Sequence, residues 1–136
     1  MATILQAVSQ YGPKLELKPT VQLEKLAEWM AMRTGINKSE AMMIFQETSE
    51  AILYFCKDGQ PVKIPGVGTF TPSINREGGF TINFRADMAL KNGINSPSAY
   101  GGVITNKERI GWTNEDYKGV WDVDHADDLL VIPESD

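Results

Sequence analysis

The sequence predicts an α+β fold in which a pair of helices leads into a short antiparallel sheet. Three observations carry that prediction. From Thr20 to Gly59 the apolar residues recur at helical spacing, and from Phe70 to Phe84 the period drops to two. Between these regimes lies Val62-Lys63-Ile64-Pro65-Gly66-Val67-Gly68-Thr69-Phe70, a strand, a two-glycine corner and a second strand. Glycines on either side of one apolar residue permit positive φ and a backbone approach that a Cβ would resist.

Taken in order, Thr3 to Ser9 reads as a short N-terminal strand, with Ile4 and Leu5 adjacent and Tyr11-Gly12-Pro13 breaking it. Leu15 and Leu17 alternate with Lys14, Glu16 and Lys18, which predicts a second strand covering a sheet edge. Thr20 is the expected N-cap of the first helix, followed by Leu23, Leu26, Ala27 and Met30 and stopped by Gly35. Asn37 and Glu40 have capping-box spacing. Ala41, Phe45, Thr48, Ile52 and Phe55 then mark one face of a longer helix that ends at Asp58-Gly59. Met42, Met43, Ile44, Leu53 and Tyr54 make this helix apolar on its other side too, so one small domain does not supply enough partners and a dimer is implied.

Beyond the corner, a hairpin centred on Glu77 would pair Phe70 with Phe84, Pro72 with Ile82 and Ile74 with Phe80 on a buried side. Thr71, Ser73, Thr81, Asn83 and Arg85 fall on the other face, which suits phosphate and suits plain solvent equally. Pro72 donates no ladder bond, so its strand is expected to lie at an edge or to break there. Asp87 caps a short third helix carrying Met88, Ala89, Leu90 and Ile94, which stops near Asn95-Ser96-Pro97. Ser98 to Gly102 reads as a linker. Thr113-Asn114-Glu115-Asp116 then opens a helical turn with Tyr117, Val120 and Trp121 along one side. Trp112 and Trp121 are poorly suited to free solution, so this tail is expected to dock on the body. The domain reading is thus 1–19 as an N-terminal extension, 20–95 as the main domain and 96–136 as an acidic C-terminal extension.

With 136 residues and 42% hydrophobic composition the chain can bury one core, and a multidomain enzyme is not expected. Its net charge of -5 argues against a generally basic coat for nucleic acid. The average hides a split: through Asn95 the balance is +1, whereas Ser96 to Asp136 carries -6. A single cysteine, Cys56, allows no internal disulfide and fits a reducing compartment. The first residues lack a basic leader and no apolar run approaches a bilayer span, so a cytoplasmic location is expected.

Three pieces in order, the helix pair, the Gly66-Val67-Gly68-Thr69-Phe70 corner and Phe84-Arg85-Ala86-Asp87-Met88-Ala89-Leu90-Lys91-Asn92-Gly93-Ile94-Asn95, resemble the bacterial HU and integration host factor family of DNA-binding proteins. The resemblance covers about Val21 to Asn95. It implies an intertwined homodimer whose helices form a base and whose β-ribbons make a saddle over double-stranded DNA in the nucleoid. The chain departs from the family in two ways. Only five residues join Ile74 to Phe80, which leaves no room for the long arms that insert a proline between base steps, so no residue here is given that role. The ribbon also offers few cations. The extended tail from Asn106-Lys107-Glu108-Arg109-Ile110-Gly111 looks like that of diverged HU-like proteins of some bacteria.

The DNA-binding residues this resemblance implies are Lys63 and Arg85 near the saddle, Arg76 at the shortened tip, Thr81 and Asn83 as hydrogen-bonding partners of the backbone, and Lys38 and Lys91 on helices. Three or four cations per protomer predict a log-log salt slope of about -5 to -7 for a dimer on B-DNA, with weak, nearly sequence-blind binding and no strong bending. A different class of function is a structural or protein-interaction module that kept the dimer scaffold, its acidic tail masking the saddle. An enzyme is not expected. The one histidine, His125, sits in an acidic run without the spacing of a calcium loop, and Gly66-Val67-Gly68 lacks both the third glycine of a dinucleotide fingerprint and a following phosphate-binding lysine. No cofactor, metal, membrane or small-molecule substrate is implied.

Overall fold

A computed structural model describes residues 1–133. The chain order is α1 (Ile4–Tyr11), β1 (Lys14–Glu16), α2 (Leu23–Thr34), α3 (Lys38–Lys57), β2 (Val62–Ile64), β3 (Gly68–Ile74), β4 (Phe80–Ala86), α4 (Met88–Asn95), β5 (Val103–Thr105), a 3-10 turn (Lys107–Arg109) and α5 (Asn114–Asp124). These elements divide into a central unit, Pro19–Tyr100, and a terminal unit that joins Met1–Lys18 to the segment from Gly101 onward.

In the central unit α2 is capped at Gln22, two residues later than the Thr20 cap expected from the sequence. The Gln22 backbone is extended, and its carbonyl accepts the first helical bond from the Leu26 N–H at 3.1 Å without help from a side chain. Gly35 closes the helix in the left-handed conformation that a side chain resists. Two residues on, the Asn37 side chain accepts the Glu40 N–H at 3.0 Å and starts α3, which runs to the expected end at Asp58. Along α3 the inward positions are Ala41, Phe45, Thr48, Ile52 and Cys56, spaced three and four apart. Phe55, predicted on that face, is instead exposed: Cys56, one residue later, keeps the period.

The sheet has the order β2-β3-β4 and is antiparallel throughout. Its hairpin register pairs Phe70 with Phe84, Pro72 with Ile82 and Ile74 with Phe80, as the period of two requires. Beta-2 reaches only as far as Phe70, so Pro72 lies where β3 has lost its second neighbour and its missing N–H leaves no ladder bond unmade. The apolar face of the hairpin, expected on a buried side, is open in the single chain: Phe80 is 83% and Phe84 51% exposed. Alpha-3 packs on β2 and β3, and every residue of β4 is exposed.

The predicted N-terminal strand is a helix. Thr3 and Gln6 cap it reciprocally, the Thr3 N–H donating to Gln6 Oε1 at 2.8 Å, and Ile4, Ala7, Val8 and Tyr11 follow at helical spacing. The second predicted strand, β1, does form, but it pairs antiparallel with β5 (Leu15 opposite Ile104) in a two-stranded sheet of its own. The acidic tail packs against this N-terminal segment. Thr113 and Asp116 cap α5 reciprocally, and Tyr117, Trp121 and Leu130 close a core with Ala2, Ala7 and Tyr11. Tyr11 meets Trp121 edge to face at 6.2 Å and donates its hydroxyl to Asp124 at 2.7 Å. That hydrogen bond, followed by burial, raises the Tyr11 pKa above the ordinary tyrosine value. His125 stacks on Trp121 at 3.8 Å, and Arg109 lies against the rings of both Tyr11 and Trp112. Lys118 ties Asp122 at 2.7 Å, and the Asp122 carboxylate also accepts the Leu130 N–H at 2.8 Å. These two partners hold its pKa below the usual carboxylate range.

Candidate nucleic-acid interface

The sheet of the central unit has two faces of opposite character because side chains alternate and cross-strand partners share a side. One face carries Val62, Ile64, Phe70, Pro72, Ile74, Phe80, Ile82 and Phe84. The other carries Lys63, Thr69, Thr71, Ser73, Thr81, Asn83 and Arg85. Registers place Lys63, Thr69 and Arg85 in one row across all three strands. With neighbouring strands about 4.8 Å apart, the backbone positions of the two cationic residues stand roughly 10 Å from each other with a threonine between them. None of these seven side chains is a carboxylate. Asn83 donates to the Ser73 hydroxyl at 3.0 Å, so the polar row is ordered within the sheet.

The glycine corner sets the edge of this surface. Gly66 has φ +82, and the Val67 N–H closes the turn on the Ile64 carbonyl at 3.0 Å. Gly68 is needed for a different reason: a Cβ there would meet the Arg85 carbonyl and the Phe84 ring. Asp87 joins the corner to α4. It accepts the Ala89 N–H at 2.8 Å, its own N–H reaches the Val67 carbonyl at 2.9 Å, and the Ala89 and Gly66 amides, with lesser help from the Lys63 charge, hold its carboxyl below the usual range.

The sequence-predicted residues divide into three groups. Lys63, Thr81, Asn83 and Arg85 share the polar face, all exposed. Arg76 is exposed at the hairpin tip, where the Asn75 side chain accepts the Glu77 and Gly79 N–H groups at 3.0 and 2.8 Å and fixes a tight turn. Lys91 is exposed on α4. Lys38 stands apart, since its ammonium binds Glu24 at 2.7 Å and Glu28 at 3.4 Å on α2. The Glu24 hydrogen bond raises the Lys38 pKa, so its charge is committed within the helix pair. Thr69, between the two cations, was not among the predicted residues. Its place one residue before Phe70, in phase with Thr71, was the signal for it.

A groove of about 790 Å³ opens between the end of α3 and the hairpin, lined by Leu53, Cys56, Pro72, Ile74, Phe80 and Ile82 among others. Among the described residues no three His, Cys, Asp or Glu side chains come together in a way that would hold a metal ion. Among the described residues no helix is long and apolar enough to cross a membrane.

The sequence model of the bacterial DNA-binding protein family matches residues 21–92, more than half of the chain. Among solved structures, the chain is similar to HU from Anabaena in a cocrystal with DNA, at 16% identity over 57% of this chain and 100% of that one, with a TM-score of 0.48. A mutant HU from Thermotoga maritima is similar at 22% identity, over 54% of this chain and 99% of that one, with a TM-score of 0.46. None of the curated proteins matches the sequence. The match spans the helix pair, the glycine corner, the two-faced sheet and most of α4, and on that ground the chain belongs to the bacterial DNA-binding protein family, the HU-like proteins.

Proposed function

We propose that this protein binds double-stranded DNA as a homodimer, through phosphate contacts on the polar face of the sheet, nearly blind to sequence. The observation that carries the reading is that face itself: seven residues of hydroxyl, amide and cationic type, two cations in one row, and no acid. Donors without a base-reading constellation position a duplex without specifying it. Pairing of two copies is supported by the open apolar face of β3 and β4 and by the groove beneath it, which together expose Ile74, Phe80, Ile82 and Phe84. Lys63, Arg76, Arg85 and Lys91 make no ion pair among the described residues. Four free cations per copy give a salt slope of about -7 for a dimer.

The charge division favours a second reading, in which the protein is an interaction module and its acidic segment screens the saddle. From Ser96 onward the chain carries -6. Electrophoretic mobility of a random-sequence duplex at low salt, with the whole chain and with residues 19–100 alone, separates the two. A shift with the whole chain, steeply weakened by salt, supports DNA binding. A shift only with the shorter chain means the acidic segment masks the surface, and no shift with either overturns the DNA reading.

A further inference from the structure

We propose that the terminal unit is a clasp that closes when the central unit folds and pairs, so that its folding reports the dimeric state; this rests on the dimer reading above. The buried core of the terminal unit is shared between its two segments. Met1–Lys18 brings Ala2, Ala7 and Tyr11, and the later segment brings Tyr117, Trp121 and Leu130. Alpha-1 has eight residues and α5 eleven, lengths at which isolated helices are marginal in water. The bonds that join the halves span the whole central unit. Tyr11 to Asp124 bridges 113 residues, Arg109 to the Tyr11 carbonyl 98, and Asn106 to the Gly12 carbonyl 94.

The entropy of closing that loop decides when the clasp forms. Glu16 pairs with Val103 in the β1-β5 sheet, which closes roughly 85 residues of chain if the central unit is unfolded. Once the central unit is folded, only the connections from β1 to α2 and from α4 to β5 remain flexible, roughly 13 residues. With a closure penalty growing as the three-halves power of length, folding of the central unit raises the closing constant of the clasp by up to about 15-fold, the limit in which the folded unit adds no span between the two connections. A single central unit has little to fold around. Among the described residues its buried positions are Ala27, Ala41, Cys56 and Gly68, while the large apolar side chains of the hairpin stay open. Its folding therefore accompanies pairing, and the clasp inherits a dependence on protein concentration.

The test uses the full chain with Trp29→Phe, which leaves Trp112 and Trp121 of the terminal unit as the fluorescent reporters. Urea titrations over a thousandfold range of protein concentration are run beside sedimentation at the same concentrations. The tryptophan transition is expected to move to higher urea as the dimer fraction rises. In the same background, Phe80→Glu places a charge on the open apolar face and is expected to dissociate the dimer and lower the urea midpoint of the terminal unit, every residue of which is intact. A dimer that dissociates while the tryptophan transition stays fixed, in either protein, overturns the clasp alone. A wild-type chain that sediments as a monomer at every concentration overturns the dimer reading and the clasp with it.

Discussion

Gly68 and Asp87 show how much of the corner depends on single atoms. A methyl group at residue 68 has to displace both the Phe84 ring and the Arg85 carbonyl, the latter backbone that the β3-β4 ladder holds in place. Gly68→Ala is therefore expected to lower the unfolding free energy by about 1–3 kcal/mol, the usual cost of overpacking, read from urea denaturation. Gly66→Ala meets nothing within 4 Å and is strained only through its positive φ, so it should cost less, about 1 kcal/mol. Asp87 acts through charge. Its folded pKa is lowered, so its contribution is present in full above the ordinary carboxylate value of about 3.9 and is lost as the pH falls through the lowered value. Asp87→Asn keeps an acceptor for the Ala89 N–H and removes that titration. Between pH 7 and pH 3 the urea midpoint of the variant, followed by far-UV circular dichroism, should drop less than that of the wild type; equal drops would show that the carboxylate contributes nothing.

Among the elements, the three-stranded sheet carries the functional claim and makes it measurable one row at a time. Lys63→Ala or Arg85→Ala removes one cation per copy and two per dimer. Each should reduce the log-log salt slope by about 1.8 and weaken binding to all sequences alike. Lys38→Ala is the internal control, since that ammonium is held by Glu24 and Glu28 and its loss should leave the slope unchanged while loosening the helix pair. The hairpin register was legible because apolar residues alternate without interruption from Phe70 to Ile74 and again from Phe80 to Phe84. Alpha-3 was legible from its Asn37 cap. Alpha-1 was not, because adjacent Ile4 and Leu5 in a segment of eight residues read as a strand, although the Thr3-to-Gln6 capping box was already in the sequence. The commitment of Lys38 was hidden for another reason: its partners lie on a different helix, 14 and 10 residues earlier, and only the packing of α2 on α3 brings them together.

At the scale of the whole molecule, the least legible feature was that the two ends of the chain make one unit. No local pattern announces contacts between residues about a hundred positions apart, and the sequence offered only the negative hint that Trp112 and Trp121 need cover. What the sequence did disclose is the length of the ribbon, and length limits what the protein does to DNA. Seven residues per strand extend about 24 Å, little more than the width of a duplex, and the tip beyond them is a tight turn locked by Asn75. On the proposed reading, such a ribbon is expected to reach the backbone without wrapping it, and smooth bending of a 20–30 bp site by 40–90° costs of order 1–6 kcal/mol that short arms have few contacts to offset. Binding should therefore leave a duplex nearly straight. With a donor and an acceptor dye at the ends of a 30 bp duplex, saturation by the protein is expected to change energy transfer little. A large rise in transfer would mean that the flanks are drawn in, and with it that surfaces beyond the polar face of the sheet hold the DNA.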